Sequence, residues 1–217
     1  MNFLAGTKSV FLDSLRIDMC LPIRGTWVPL DHGYSLFSAL CRVRTDLHGC
    51  EWLAVHPITG SPGAAGRLVL TDASALVLRV PRCRIEPLSS LAQRTLWVNG
   101  QDIYAADWLI NELTPSSALV SRLVVVKGYT EPECFAAAIA RQLLAIGVDA
   151  QVQIGRRRAI TINGDRVVGF AVKLSGLSAH DSLLVQSAGI GGRQRMGCGI
   201  FTPSELAQEH GPDSPRR

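Results

Sequence analysis

Lysine is nearly missing from this chain. It stands only at Lys8, Lys127 and Lys173, so arginine supplies almost all of the 22 basic residues among 217, at a formal net charge of +4. A balance this mild is compatible with a nucleic-acid partner without requiring one, and a GC-rich genome would produce the same arginine bias. The six cysteines form no Cys-x-x-Cys pair, which argues against a zinc ribbon. Several sit in apolar runs, where free cysteine behaves as a small hydrophobe, and the pattern reads as a reducing cytoplasm. No apolar run approaches the roughly 20 residues of a membrane span, and the start of the chain lacks a basic-then-apolar signal architecture. The expectation is therefore a cytoplasmic protein with no membrane partner. A hydrophobic fraction of 47% against 18% charged is the composition of a globular chain, long enough for one large domain or two of about 100 residues.

Apolar alternation predicts a first strand from Leu15 to Arg24. Asp31 is positioned to cap a helix over 32–47, whose residues Leu36, Phe37, Leu40, Val43 and Leu47 share one face. Strands follow over 51–58, 67–70 and 75–80, then a short helix over 85–92. Next comes a hairpin, Leu96-Trp-Val and Ile103-Tyr-Ala about an Asn99-Gly100 turn. The segment 112–117 reads as a boundary, beyond which the order repeats. It runs strand 119–127, helix 131–146, strands 150–154 and 159–162, an Asn163-Gly164 turn, strand 166–174, helix 178–187 and a last short strand. Each half thus reads strand, helix, strand, strand, short helix, strand, the split βαβ, ferredoxin-like unit. The fold class is α+β, two tandem ferredoxin-like (RRM-like, βαββαβ) domains over 1–115 and 116–203, with 204–217 a disordered tail. A sheet covered by helices on one face leaves its other face open to a partner.

Two basic features interrupt this pattern. Gly189-Ile-Gly-Gly-Arg-Gln-Arg-Met-Gly-Cys-Gly-Ile-Phe packs five glycines and two arginines into thirteen residues. Glycine-dense backbone can aim several N–H groups at one anion, while Arg193 and Arg195 add forked donors suited to phosphate. Neither the dinucleotide fingerprint nor the Walker A spacing fits; a turn that only closes the last strand is the competing reading. Arg156-Arg157-Arg158 follows Gly155 between two predicted strands, which suggests a hairpin tip able to track a nucleic-acid backbone, or a solvated basic turn.

The glycine-rich loop after tandem ferredoxin-like units resembles that of the CRISPR-associated endoribonucleases that cut repeat RNA into guides, within the repeat-associated mysterious protein superfamily. Asp31-His-Gly-Tyr-Ser-Leu-Phe, the Leu47-His-Gly turn and the strand Arg166-Val-Val-Gly-Phe-Ala-Val resemble the processing branch. The likeness spans roughly 15–203. It implies cleavage within each repeat without metal or other cofactor: a 2′-hydroxyl attacks the neighbouring phosphate, leaving a 2′,3′-cyclic phosphate and a 5′-hydroxyl. It also implies a protein that keeps its guide and joins other CRISPR effector-complex proteins. Family members commonly use a histidine from the first domain.

That chemistry needs a base, an acid and positive charge at the phosphate, and histidine suits the first two roles. His32 is the first candidate, at a helix start that favours the neutral ring; sharing a face with Leu36, it can equally be a satisfied residue at the core edge. His48 is the second, although a cation at a helix C-terminus explains it as well. Tyr34 can donate to the scissile phosphate or simply pack. His56, at a strand end, can face the RNA or equally be structural; His180 reads as capping or exposed, and His210 falls in the tail. The RNA-binding set is Arg156, Arg157, Arg158, Lys173, Gly189, Gly191, Gly192, Arg193, Arg195, Gly197 and Gly199. The rival functions are a non-catalytic guide-RNA-binding subunit and a small-ligand protein whose loop holds a free phosphate.

Overall fold

The computed structural model describes residues 16–204; the first fifteen residues, with Leu15 of the predicted first strand, and the expected tail from 205 onward lie outside that range. The order is β1 (Arg16–Arg24), β2 (Trp27–Pro29), α1 (Gly33–Val43), β3 (Ala54–Val55), β4 (Ser61–Pro62), β5 (Arg67–Val69), β6 (Ala75–Pro81), α2 (Ile85–Leu88), β7 (Arg94–Val98), β8 (Gln101–Ala105) and β9 (Leu109–Asn111). Then come β10 (Ala118–Val124), α3 (Pro132–Ala145), β11 (Gln151–Ile162), β12 (Asp165–Ser175), α4 (Ala179–Ala188) and β13 (Thr202–Pro203).

The carboxy-terminal sheet runs β11-β12-β10-β13, the ferredoxin-like order, and the amino-terminal sheet repeats it as β3-β6-β1-β8-β7. β1 is central. One edge pairs with β6 from Arg16↔Pro81 to Pro22↔Ala75, while the other meets β9 at Asp18–Cys20 and β8 at Ile23–Arg24. A third small sheet, β2-β5-β4, forms from the long connection. The Asn99-Gly100 hairpin forms as its sequence demands, with φ of 48° and 87° at the two turn residues.

Apolar periodicity decides which faces are buried. Ile17, Met19 and Leu21 of β1, Leu36 and Leu40 of α1, and Leu76, Leu78 and Val80 of β6 build one core. Leu123, Ile160, Ile162, Met196 and Cys198 join it from the second half, so this core is shared across the chain. A second core gathers Leu119, Phe135, Ile139, Phe170, Val172 and Phe201.

Local readings shift where a tertiary contact outweighs a local preference. Asp31 does not cap α1. His32 occupies that position with no side-chain cap, because the Asp31 carboxylate accepts the Thr161 amide at 2.6 Å instead. α1 ends at Val43, and Leu47 is reached through a 3-10 turn, Thr45–Leu47. The predicted strand over 51–58 shrinks to Ala54–Val55. The segments 150–154 and 159–162 merge into one twelve-residue strand, β11. A bulge between Ile154 and Arg157 absorbs the arginine run, so these arginines lie along a strand and not at a hairpin tip.

The outer face of the amino-terminal sheet is not left open along its whole width. Arg79, 2% exposed, forks onto Asp18 with Nε–Oδ1 and Nη2–Oδ2 distances of 2.8 Å each. Its Nη1 donates to the carbonyls of Gln186 at 3.0 Å and Phe201 at 2.7 Å. α4 and the end of the glycine-rich segment are thereby held against β1 and β6. Burial alone would raise the Asp18 carboxyl, but the hydrogen bonds and charge of Arg79 outweigh it and hold the group well below the usual carboxylate range. A depressed carboxyl stabilises the fold fully above its unfolded value near pH 4, and that contribution is lost as pH falls towards its folded value. Arg79→Met strands the carboxylate and two carbonyls; it should cost about 3–5 kcal/mol in urea unfolding at pH 7. A loss below about 1 kcal/mol, typical of a surface pair, would contradict a buried clamp.

Candidate functional site

α1 organises the site because both of its ends meet elements of the second half. At its start, a side chain on Gly33 would collide with the Met196 carbonyl, so the glycine-rich loop seats directly on the helix. Tyr34, one residue on, lies 3.4 Å from Asn163 Oδ1 at the β11–β12 hairpin tip. Beyond its other end, His48 is exposed and closes the Thr45–Leu47 turn. Arg195 of the loop donates to the His48 carbonyl, and its guanidinium lies 5.2 Å from the centre of the Phe37 ring. Tyr34 and His48 thus belong to opposite ends of the helix, which rises roughly 13 Å between Tyr34 and Val43.

His32 does not reach that surface. It is 3% exposed, and both ring nitrogens are engaged: Nδ1–H donates to the Pro29 carbonyl at 2.8 Å, and Nε2 accepts the Ile58 amide at 2.9 Å. Burial first, with a smaller push from Arg122, lowers its pKa despite the Pro29 carbonyl. This is the core-edge alternative. The ring ties two loops beneath Met196 and Gly197, the latter seated on Pro57, and has no nitrogen left for a substrate. His56 is also interior. Its Nε2 lies 3.6 Å from Asp18 Oδ1, beyond hydrogen-bond length, so the two attract as an ion pair only when the ring is protonated. Burial and the Arg79 charge lower its pKa. His180 is exposed at the start of α4.

The glycines act differently from the expected amide cradle. The amides of Gly189, Ile190, Gly191, Gly192, Met196, Gly197, Cys198 and Gly199 all donate inside the protein. Gly192 bonds Val125 and Gly199 bonds Leu123, each at 2.8 Å. Gly191 (φ 81°) lies against the Val125 carbonyl and Gly199 (φ 67°) against that of Ile190, so any side chain there would strike backbone. These residues dock the loop onto β10, and Gly197 and Gly199 are buried. The loop displays its arginines instead, with Arg193 exposed.

Arg156 and Arg157 are exposed on β11. A shallow cavity of about 300 Å³ is lined by Arg157, Arg158, Ala159, Arg166 and Val168. Lys173 is exposed on β12, between Val120 and Gln153. Sequence reasoning missed Arg122, a lone charge in the apolar strand β10. Its side chain reaches solvent, yet the protein packed around it and then the charge of nearby Arg158 draw its pKa down. Burial pushes the Cys198 thiol up to about 12, against the pull of Arg122 and Arg193. Arg122 is thus near both Arg158 and Cys198, and Arg193 is near Cys198, which links the charges of β11 and β10 to those of the loop. All six cysteines are free thiols. Among the described residues, no helix is long and apolar enough to cross a membrane.

Comparison with known proteins adds an independent line. The Cas6 family profile, described as "Cas6 Crispr", matches residues 17–206. A "CRISPR-associated endonuclease Cas6" of Myxococcus xanthus (strain DK1622) is 39% identical over 198 residues, covering 90% of this chain and 86% of that protein. The structure of a Cas6-related gene product of Pyrococcus furiosus superposes with a TM-score of 0.64 at 12% identity, over 86% of this chain and 98% of that one. A RAMP protein described as binding different RNA substrates gives the same TM-score of 0.64 at 12% identity, over 86% and 98%. At such identities the structural likeness shows the shared fold.

The two interior histidines give a pH signature. Their folded pKa values lie below the unfolded value near 6.5, so their stabilisation is fully present above that pH and is lost as pH falls below it. The thermal midpoint should drop between pH 6.5 and 5. In His32→Gln this dependence should become shallower, while stability at pH 8 falls by about 1–3 kcal/mol from the unpaired Pro29 and Ile58 groups. An unchanged slope in that variant would place the titration elsewhere.

Proposed function

The chain belongs to the Cas6 family, and from that premise we propose that it is an endoribonuclease that cuts CRISPR precursor RNA within each repeat to release guides. The observation that carries this reading is the placement of His48. It is an exposed imidazole beyond the end of α1, tied through its backbone to the glycine-rich loop, while the other two histidines of the first half are buried (His32) or half-buried (His56).

The cleavage is a transesterification. The 2′-hydroxyl loses its proton and attacks the adjacent phosphorus; the P–O5′ bond breaks, and the departing oxygen takes a proton. The products are a 2′,3′-cyclic phosphate and a 5′-hydroxyl, and no metal is required. His48 supplies a proton-transfer group for one of these steps, since imidazole changes charge near neutrality. Arg193, Arg122 and Arg158 supply positive charge along the RNA backbone, where arginine forks suit phosphate oxygens. Arg156, Arg157, Arg166 and Lys173 extend that surface along β11 and β12. Tyr34 contacts RNA at the hairpin-tip end, away from the scissile phosphate. The enzyme then keeps its guide as a component of an effector complex.

His48→Ala should slow cleavage of a cognate repeat by about 10²–10⁴-fold with binding retained, and wild-type activity should persist in EDTA. Wild-type cleavage by His48→Ala would remove it from the chemistry. Loss of activity on chelation would replace this mechanism with a metal-dependent one. Tight binding without cleavage by the wild-type protein, for every repeat of its own genome, would leave a guide-binding subunit.

A further inference from the structure

We infer that Arg195 is a positioning residue that sets the His48 imidazole, and not a phosphate contact; this rests on the reading of His48 above. The guanidinium is engaged within the protein. One face lies over Phe37, 5.2 Å from the ring centre, and Nη1 donates to the His48 carbonyl. Its side chain is also near enough to the Cys41 thiol to pull that pKa against the upward push of burial. The residue is only partly exposed, whereas Arg193, two positions earlier, is exposed.

What anchors Arg195 is unusually fixed for a loop. It sits in the 3-10 turn Gln194–Met196, between Arg193 and Gly197, both in the left-handed region. Met196 and Cys198 amides bond the Arg193 carbonyl at 2.9 and 3.3 Å, and Gly33 and Pro57 close on the turn from the first half. What Arg195 holds is less constrained. His48 follows a three-residue turn whose own closing bond, His48 amide to Thr45 carbonyl, is 3.3 Å. A donor from a rigid loop onto that carbonyl fixes the peptide that carries the imidazole. Arginine suits this role because its flat face can stack on a ring while its edge donates. The glycine-rich loop thereby acts on cleavage through the first half of the chain.

The test measures single-turnover cleavage of a cognate repeat RNA at saturating protein, and binding of the same RNA against salt concentration. Arg195→Met should cleave on the order of 10–100-fold more slowly, the cost of a misplaced reacting group. Its slope of log K against log salt should equal the wild-type slope. Arg195→Lys should recover part of the rate, because an ammonium still donates to the carbonyl, and it provides a folded comparison if the Met variant is unstable. A wild-type rate in Arg195→Met would overturn the proposal. So would a salt slope shallower by about one with the rate at saturation unchanged, which marks a lost phosphate contact. Wild-type cleavage by His48→Ala in the same assay would instead remove the reading beneath it.

Discussion

A single buried guanidinium holds the two halves of this molecule in register. A guanidinium offers five N–H donors, and Arg79 directs four hydrogen bonds: two to its cross-strand partner Asp18 and one each to the carbonyls of Gln186 and Phe201. Without the second half, an arginine and an aspartate on the outer face of a ferredoxin-like sheet would be an ordinary solvated pair. With it, the pair is interior. A buried charge is tolerated only when paired and hydrogen-bonded, so the two carbonyls make that docking specific. Arg16 reinforces the seam, its amide bonding Ser187 at 3.0 Å.

Once α4 and Phe201 are fixed, the segment between them has little freedom. Its amides are taken up by β10, α3 and itself, and its glycines permit contacts that a side chain would prevent. The loop therefore behaves as a folded plug wedged between β10 and the start of α1, and its chemistry lies in the arginines it carries. Arg193 is displayed to solvent, while Arg195 turns inward to the His48 carbonyl. In the proposed function, that division of labour gives surface charge to a polyanion and an imidazole at the helix edge to the chemistry.

Much of this was legible in the sequence. Alternation gave β1, the Asn99-Gly100 turn gave the β7–β8 hairpin, and the repeated element order gave the ferredoxin-like class. The misses have physical causes. Gly155 and three arginines look like a break, yet a bulge lets β11 pass through them without a turn. Asp31 has the chemistry of a cap, but the Thr161 amide, 130 positions away, competes for its carboxylate. Asp18 and Arg79 occupy positions that read as solvent-facing in strands with one apolar face, and only the second half makes them interior. His32 and His48 carry the same ring at opposite ends of one helical stretch. What separates them is burial and two partners, Pro29 and Ile58, which no local pattern reveals. Arg122 stood unremarked because a single charge in an apolar strand reads as an ordinary solvent-facing position.

If the Arg79 clamp is what holds the loop against β10 and α1, the loop should loosen before the sheets do when the clamp is removed. Hydrogen exchange of Arg79→Met against the wild type measures this directly. The Gly192 and Gly199 amides, bonded to Val125 and Leu123, should lose more protection than the paired amides at the centre of the β10–β12 ladder. Equal loss across loop and ladder, or unchanged loop protection, would contradict the clamp as the constraint that builds the site.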